Sequence, residues 1–194
     1  LAYGMMHPVK QAIVVGGGLA GIAAAIAVAK AGLATVHLAP KGPPDRRTSA
    51  LMMPSVEYLE AAGLVRDPAA IGHPLTQIRL IDATGRLIRA PETLFDSHEA
   101  GLSAFAWNFA NVKLLESFEA ARAGLPNLTT LELSVTAIER VADGWRVDLS
   151  DGSSITAPLL VGSDGKKSLV RVSTGFRARE NGFTEAALVC DLEL

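Results

Sequence analysis

The stretch Ala12-Ile13-Val14-Val15-Gly16-Gly17-Gly18-Leu19-Ala20-Gly21 decides the fold of this chain. It opens on apolar, mostly β-branched residues, which predict a short strand buried on both faces, as in a parallel sheet. The glycines that follow have the spacing G-x-G-x-x-G. Ala23 to Ala31 then predicts a helix rich in small residues, with Gly32 where a left-handed C-terminal cap belongs. Thr35–Leu38 is a second candidate strand. Strand, glycine turn, helix and strand in this order make a βαβ nucleotide-binding unit.

Each glycine has its own physical task in such a unit. Gly16 permits the tight turn off the strand, and Gly18 lets a pyrophosphate approach the backbone without meeting a Cβ. Gly21 lets the helix pack closely on the strand. The anion lies at the helix N-terminus, where unpaired N–H groups and the positive end of the dipole favour it. Leu19 and Ala20 belong to the same candidate set. Ala39 departs from the pattern. An acidic residue is expected there to hold the adenosine ribose, but the chain reads Ala39-Pro40-Lys41. Its loss removes an interaction of about 1–3 kcal/mol. Lys41, Arg46 and Arg47 nearby leave a second reading open, a ribose 2′-phosphate and hence NADP.

At 194 residues the chain has room for one core, or one domain and part of another. Its 49% hydrophobic and 20% charged residues describe a globular protein. A net charge of −2 without a basic face gives no support to a nucleic-acid partner. Cys190 is the only cysteine, and His7, His37, His73 and His98 lack ligand spacing, so neither a disulfide nor a metal site is expected. A cytoplasmic setting is the default. Ala12 to Ala29 carries no charge, but Gly16–Gly18 would break a membrane helix, so no transmembrane segment is expected. Leu1–Gly4, ahead of Met5 and Met6, is set aside from the fold.

Further along, Pro54 to Ala62 fits a helix stopped by Gly63, and Gln77–Ile81 with Arg86–Ile88 reads as a hairpin about Asp82–Gly85. Glu92 to Ala104 has little periodicity and reads as loop. Asn111 is a candidate N-cap for a helix to Ala123, with Val112, Leu115 and Phe118 on one face. Leu128–Leu133 is a strand. Val135–Val141, Trp145–Leu149 and Ser154–Ala157, separated by Asp-Gly turns, form a β-meander. Leu159–Val161 is another buried-type strand.

After that strand, Gly162-Ser163-Asp164-Gly165-Lys166-Lys167-Ser168-Leu169-Val170-Arg171 resembles the G-A-D-G-x-x-S-x-x-R stretch of the FAD-dependent aromatic hydroxylases, the p-hydroxybenzoate-hydroxylase-like monooxygenases. Asp45-Arg46-Arg47-Thr48-Ser49-Ala50-Leu51 resembles their R-x-x-A-L segment. Trp107-Asn108-Phe109-Ala110-Asn111 is similar to the segment before the return helix in the hydroxylases of ubiquinone biosynthesis, with Val112 in place of the usual arginine. The resemblance covers roughly residues 10–190 and only the N-terminal half of such proteins.

The resemblance implies an α/β fold: a Rossmann-type FAD-binding domain (βαβ with parallel sheet and β-meander) with part of a β-rich substrate domain. The FAD-binding domain would span 8–74 and 106–173, and the partial substrate domain 75–105 and 174–194. FAD is the implied cofactor, with NAD(P)H as reductant and O₂ as co-substrate, and a small aromatic ring, such as a ubiquinone precursor, as substrate. Arg47 would lie along the cofactor's phosphates or ribityl chain, and Asp164 and Gly165 would help hold the cofactor. Val135 completes the candidate cofactor-binding set. No catalytic side chain is assigned, because the cofactor carries the chemistry. A polyprenyl substrate would imply peripheral membrane contact, and homo-oligomerisation is open. The family's Gly-Asp motif near the flavin ring belongs to the C-terminal half, so this stretch alone is expected to be inactive. The rival reading is a non-catalytic or truncated FAD/NADP-binding module, or another FAD-dependent oxidoreductase of the same fold.

Overall fold

The computed structural model describes residues 10–182 and residue 184. Strands β1 (Ala12–Val15) and β2 (Thr35–Leu38) are buried along their whole length and flank helix α1 (Leu19–Lys30). They pair in parallel, with Ala12 opposite Thr35 and Val15 opposite Leu38. The βαβ unit forms as expected. Helix α1 begins inside the glycine motif and not at Ala23, because only Gly16 to Gly18 are needed to reverse the chain. From Leu19 onward every residue except Gly21 forms helix readily.

The chain continues through β3 (Thr48–Met52), α2 (Met53–Ala61), α3 (Pro68–Ile71), β4 (Gly72–Leu75), β5 (Gln77–Leu80), β6 (Thr93–Asp96) and β7 (Ala106–Ala110). Helix α4 (Asn111–Arg122) and β8 (Leu128–Leu131) return it to the parallel sheet. The meander β9 (Val135–Val141), β10 (Gly144–Leu149) and β11 (Ser154–Ala157) leads to β12 (Leu159–Gly162) and the short helix α5 (Leu169–Ser173). The parallel sheet has the order β12-β1-β2-β8. Burial on both faces explains the unbroken apolar run of β1, and in β2 it encloses Thr35 and His37 together with Val36 and Leu38.

Two cores account for that burial. On the helix side Ile22 and Ile26 of α1 meet Val56, Phe109, Leu114 and Phe118. On the other side Ile13, Val15, Val36 and Leu38 pack against Val147 and Leu149 of the meander and Val170 of α5. Each such side chain contributes roughly 1.5–3 kcal/mol by leaving water. The crowded middle layer fixes where β1 and β2 end, and the glycine turn sits at those ends.

Three local expectations change. Strand β5 pairs with β6, not with Arg86–Ile88. The Asp82 carboxylate accepts from the backbone N–H groups of Thr84 and Ala90, closing the intervening loop on itself, and Leu87 and Ile88 stay exposed. The partner strand therefore comes from a stretch read as loop. Second, Ala110 takes the N-cap position of α4, and Asn111 is its first residue with a buried side chain. Third, the buried face of α4 is Asn111, Leu114 and Phe118, while Val112 and Leu115 border open space. Leu1–Gly4, residue 8, Cys190 and most of 183–194 lie outside the described residues. Among the described residues no helix is long and apolar enough to cross a membrane.

Candidate functional site

The site is built where β1 hands over to α1. The N–H of Gly16 donates to the Leu38 carbonyl at 2.9 Å, which ties the turn to the end of β2. Gly16 has φ +135°, and a Cβ there would strike the Ser163 carbonyl on the loop after β12. A Cβ on Gly21 would strike the carbonyl of Gly16. Both glycines are therefore required by close backbone packing. Gly18 is different: its φ is an ordinary −84°, and a Cβ there would meet nothing within 4 Å. The space above Gly18 is open. Among the described residues no side chain caps α1, and no acidic residue stands in its first turn, so free N–H groups and a positive dipole end face that space. These are the conditions an anionic pyrophosphate requires.

Two adjoining clefts flank the turn. One, of about 430 Å³, is bordered by Gly16, Gly18, Val135, Asp164 and Gly165. The other, of about 820 Å³, is bordered by Gly18, Leu19, Ala39, Asn111 and Glu132. They share Gly17, Gly18 and Pro40, and both volumes fall in the range of small-molecule sites, about 300–1,000 Å³. Most of the candidate residues are thus brought together. Ala20 borders a separate depression on the α2 side, together with Leu19.

Arg47 lines neither cleft. It is exposed and forms a two-point ion pair with Asp45, each contact 2.8 Å. Asp45 does face the larger cleft. The Arg47 guanidinium first, and then the Asn111 amide, hold its carboxyl well below the usual carboxylate range. Asn111 also accepts from the Ser49 hydroxyl at 2.6 Å, bracing the loop after β2 against α4.

Asp164 is committed to its own loop. Its carboxylate accepts from the Ser168 hydroxyl at 2.5 Å and from the N–H groups of Leu169 and Val170 at 2.6 and 3.2 Å. Ser168 caps α5 by accepting from the Arg171 N–H at 2.9 Å. Partial burial raises the carboxyl's pKa, but those hydrogen bonds outweigh it, so the net shift is downward and Asp164 is ionised. The second motif is thus a folded unit that holds Gly165 at the cleft.

His37 and Glu132 were not singled out by the sequence. His37 is buried in β2, and its Nε2–H donates to the Gly16 carbonyl at 2.8 Å. Its Nδ1 has no partner among the described residues. Glu132 follows β8, borders the larger cleft and pairs with Lys41 at 2.8 Å. Strand alternation places such residues on one face of a strand, but the identity of that face depends on which strands pair.

Comparison with known proteins adds a family. The model of the FAD binding domain family matches residues 10–192. Ubiquinone hydroxylase UbiL of Rhodospirillum rubrum is 29% identical over 98% of this chain, a match covering 45% of UbiL. Among solved structures, p-nitrophenol 4-monooxygenase PnpA of Pseudomonas putida superposes with a TM-score of 0.73 at 23% identity, over 86% of this chain and 44% of PnpA. Klebsiella pneumoniae HpxO, solved with FAD and uric acid, superposes with a TM-score of 0.63 at 22% identity, over 84% of this chain and 41% of HpxO. The chain therefore spans less than half the length of the relatives it matches, and its fold is that of FAD-binding monooxygenases.

Proposed function

Since the chain belongs to the FAD binding domain family, we propose that its glycine turn and paired clefts hold the ADP half of FAD in an FAD-dependent monooxygenase. The observation that carries this is the uncapped N-terminus of α1 beside the open position at Gly18. Gly18 would give the pyrophosphate room, and the backbone N–H groups of Leu19, Ala20 and Gly21 in the first turn of α1 would hold it. Val135 would border the adenine end of the cofactor in the smaller cleft. Asp164 acts through the backbone it organises, presenting Gly165 to the cofactor. Arg47 reaches the phosphates only by exchanging Asp45 for them, and its exposure leaves it free to turn.

When bound, FAD supplies the oxygen chemistry, with NAD(P)H as reductant and a small aromatic ring as acceptor. A ubiquinone precursor is the substrate suggested by the likeness to UbiL. Residues 8–74 and 106–173 form the FAD-binding domain in this proposal, and 75–105 with 174–194 belong to the substrate domain. We further propose a cytoplasmic protein that touches a membrane surface only to meet a polyprenyl substrate.

Gly18→Val tests the assignment. The backbone at Gly18 suits any residue and the space is open, so the variant is expected to fold normally. Its branched side chain would occupy the pyrophosphate's place, and FAD affinity should fall tenfold or more, about 1.4 kcal/mol or more. Calorimetric titration with FAD measures this, with circular dichroism as the folding control. Unchanged FAD binding by a folded Gly18→Val protein would place the cofactor elsewhere.

A further inference from the structure

Ala39 follows β2 at the place where the nucleotide-binding pattern puts an acidic residue, and its neighbour in the sheet is the end of β8. Strands β2 and β8 are parallel with Leu38 opposite Leu131, and the ladder runs on, the N–H of Ala39 donating to the Leu131 carbonyl at 2.9 Å. The next residue after Leu131 is Glu132. Leu38, Leu131 and Leu133 all pack against the meander-side core. Alternation then turns Ala39 and Glu132 to the opposite face, and both border the 820 Å³ cleft that also reaches Gly18. We propose that Glu132 supplies the carboxylate that Ala39 lacks and binds the ribose hydroxyls of the cofactor's adenosine. The proposal rests on the FAD assignment above.

The charge arrangement suits this role. Lys41 meets Glu132 at Oε2, 2.8 Å away, and both side chains are largely exposed; a carboxylate has about four lone-pair sites, so one ammonium leaves acceptor capacity for the cleft. A carboxylate accepts from vicinal hydroxyls with short, charge-assisted hydrogen bonds. It would repel a ribose 2′-phosphate, and the two cations that border the cleft, Lys41 and Arg122, are already paired with Glu132 and Glu119. The site therefore selects an unphosphorylated ribose, which favours FAD over NADP.

A double-mutant cycle with Ala39→Glu tests the substitution of one strand's residue for another's, reading FAD dissociation constants by calorimetry. Glu132→Ala is expected to weaken FAD by roughly five- to a hundredfold. Ala39→Glu in that background should recover most of the loss. In the unaltered protein Ala39→Glu should change affinity by less than about twofold, because two carboxylates on adjacent strands repel. Glu132→Gln, which keeps the shape of the side chain, serves in place of the alanine variant should that one fail to fold. Full affinity in a folded Glu132 variant, or equal tightening by Ala39→Glu in both backgrounds, would overturn the proposal while leaving FAD binding intact. A protein that binds no FAD before any substitution would instead overturn the FAD assignment itself.

Discussion

At His37 a titratable ring lies inside the parallel sheet, fully enclosed and bonded to the backbone of the glycine turn. Burial is the main reason its pKa lies below the ordinary histidine value of 6.5; the Gly16 carbonyl opposes that, Arg122 adds to it, and Glu119 opposes it. The sign of the pH effect follows. Above 6.5 the ring is neutral in both the folded and unfolded chain and contributes no pH dependence. Below 6.5 the unfolded chain takes up a proton that the folded one resists, so stability falls with pH until the folded value is passed. Urea unfolding at pH 7.5 and 5.5 should show wild type losing more stability than His37→Gln over that interval. Equal losses would mean that His37 does not titrate in this way. The sequence puts His37, unlike His73 and His98, in a candidate strand, but it does not show which way the ring faces. Its role exists only because β2 is covered on both faces, which is a property of the assembled sheet.

Among the elements, those legible in the sequence are held together by neighbours along the chain. The βαβ unit and the meander were readable because turn residues punctuate short apolar runs, and each strand pairs with one close in sequence or joined by a single helix. The sheet β3-β7-β4 was not, because β7 pairs with two strands far upstream and β4 contains Pro74. Arg86–Ile88 reads as a partner of β5 because Asp-Ala-Thr-Gly looks like a hairpin turn, whereas the pairing that forms spans a longer loop. Glu132 was hidden for a related reason, since its place beside Ala39 requires the β2–β8 pairing. At α5 the family resemblance supplied the motif and the structure shows its construction. Ser168→Ala removes the cap that accepts from Arg171 and should cost about 0.5–2 kcal/mol. Because that loop presents Gly165 to the cleft, FAD affinity should weaken as well. A Ser168→Ala protein as stable as wild type in urea would show that Asp164 alone holds the helix start.

For the whole molecule, the layered arrangement explains why the cofactor site was more legible than the substrate. The glycine turn is dictated by backbone sterics, and those are written directly as glycine at fixed spacing. Substrate choice depends on side chains gathered from distant segments, and the chain spans less than half of UbiL and of PnpA. In the function proposed above, the turn between β1 and α1 is a flavin-nucleotide site. The most direct measurement is the absorption spectrum of the purified protein after equilibration with FAD and removal of the excess. Flavin bands corresponding to about one FAD per chain are the expected result. A colourless protein that binds NADPH tightly and ignores FAD would contradict it.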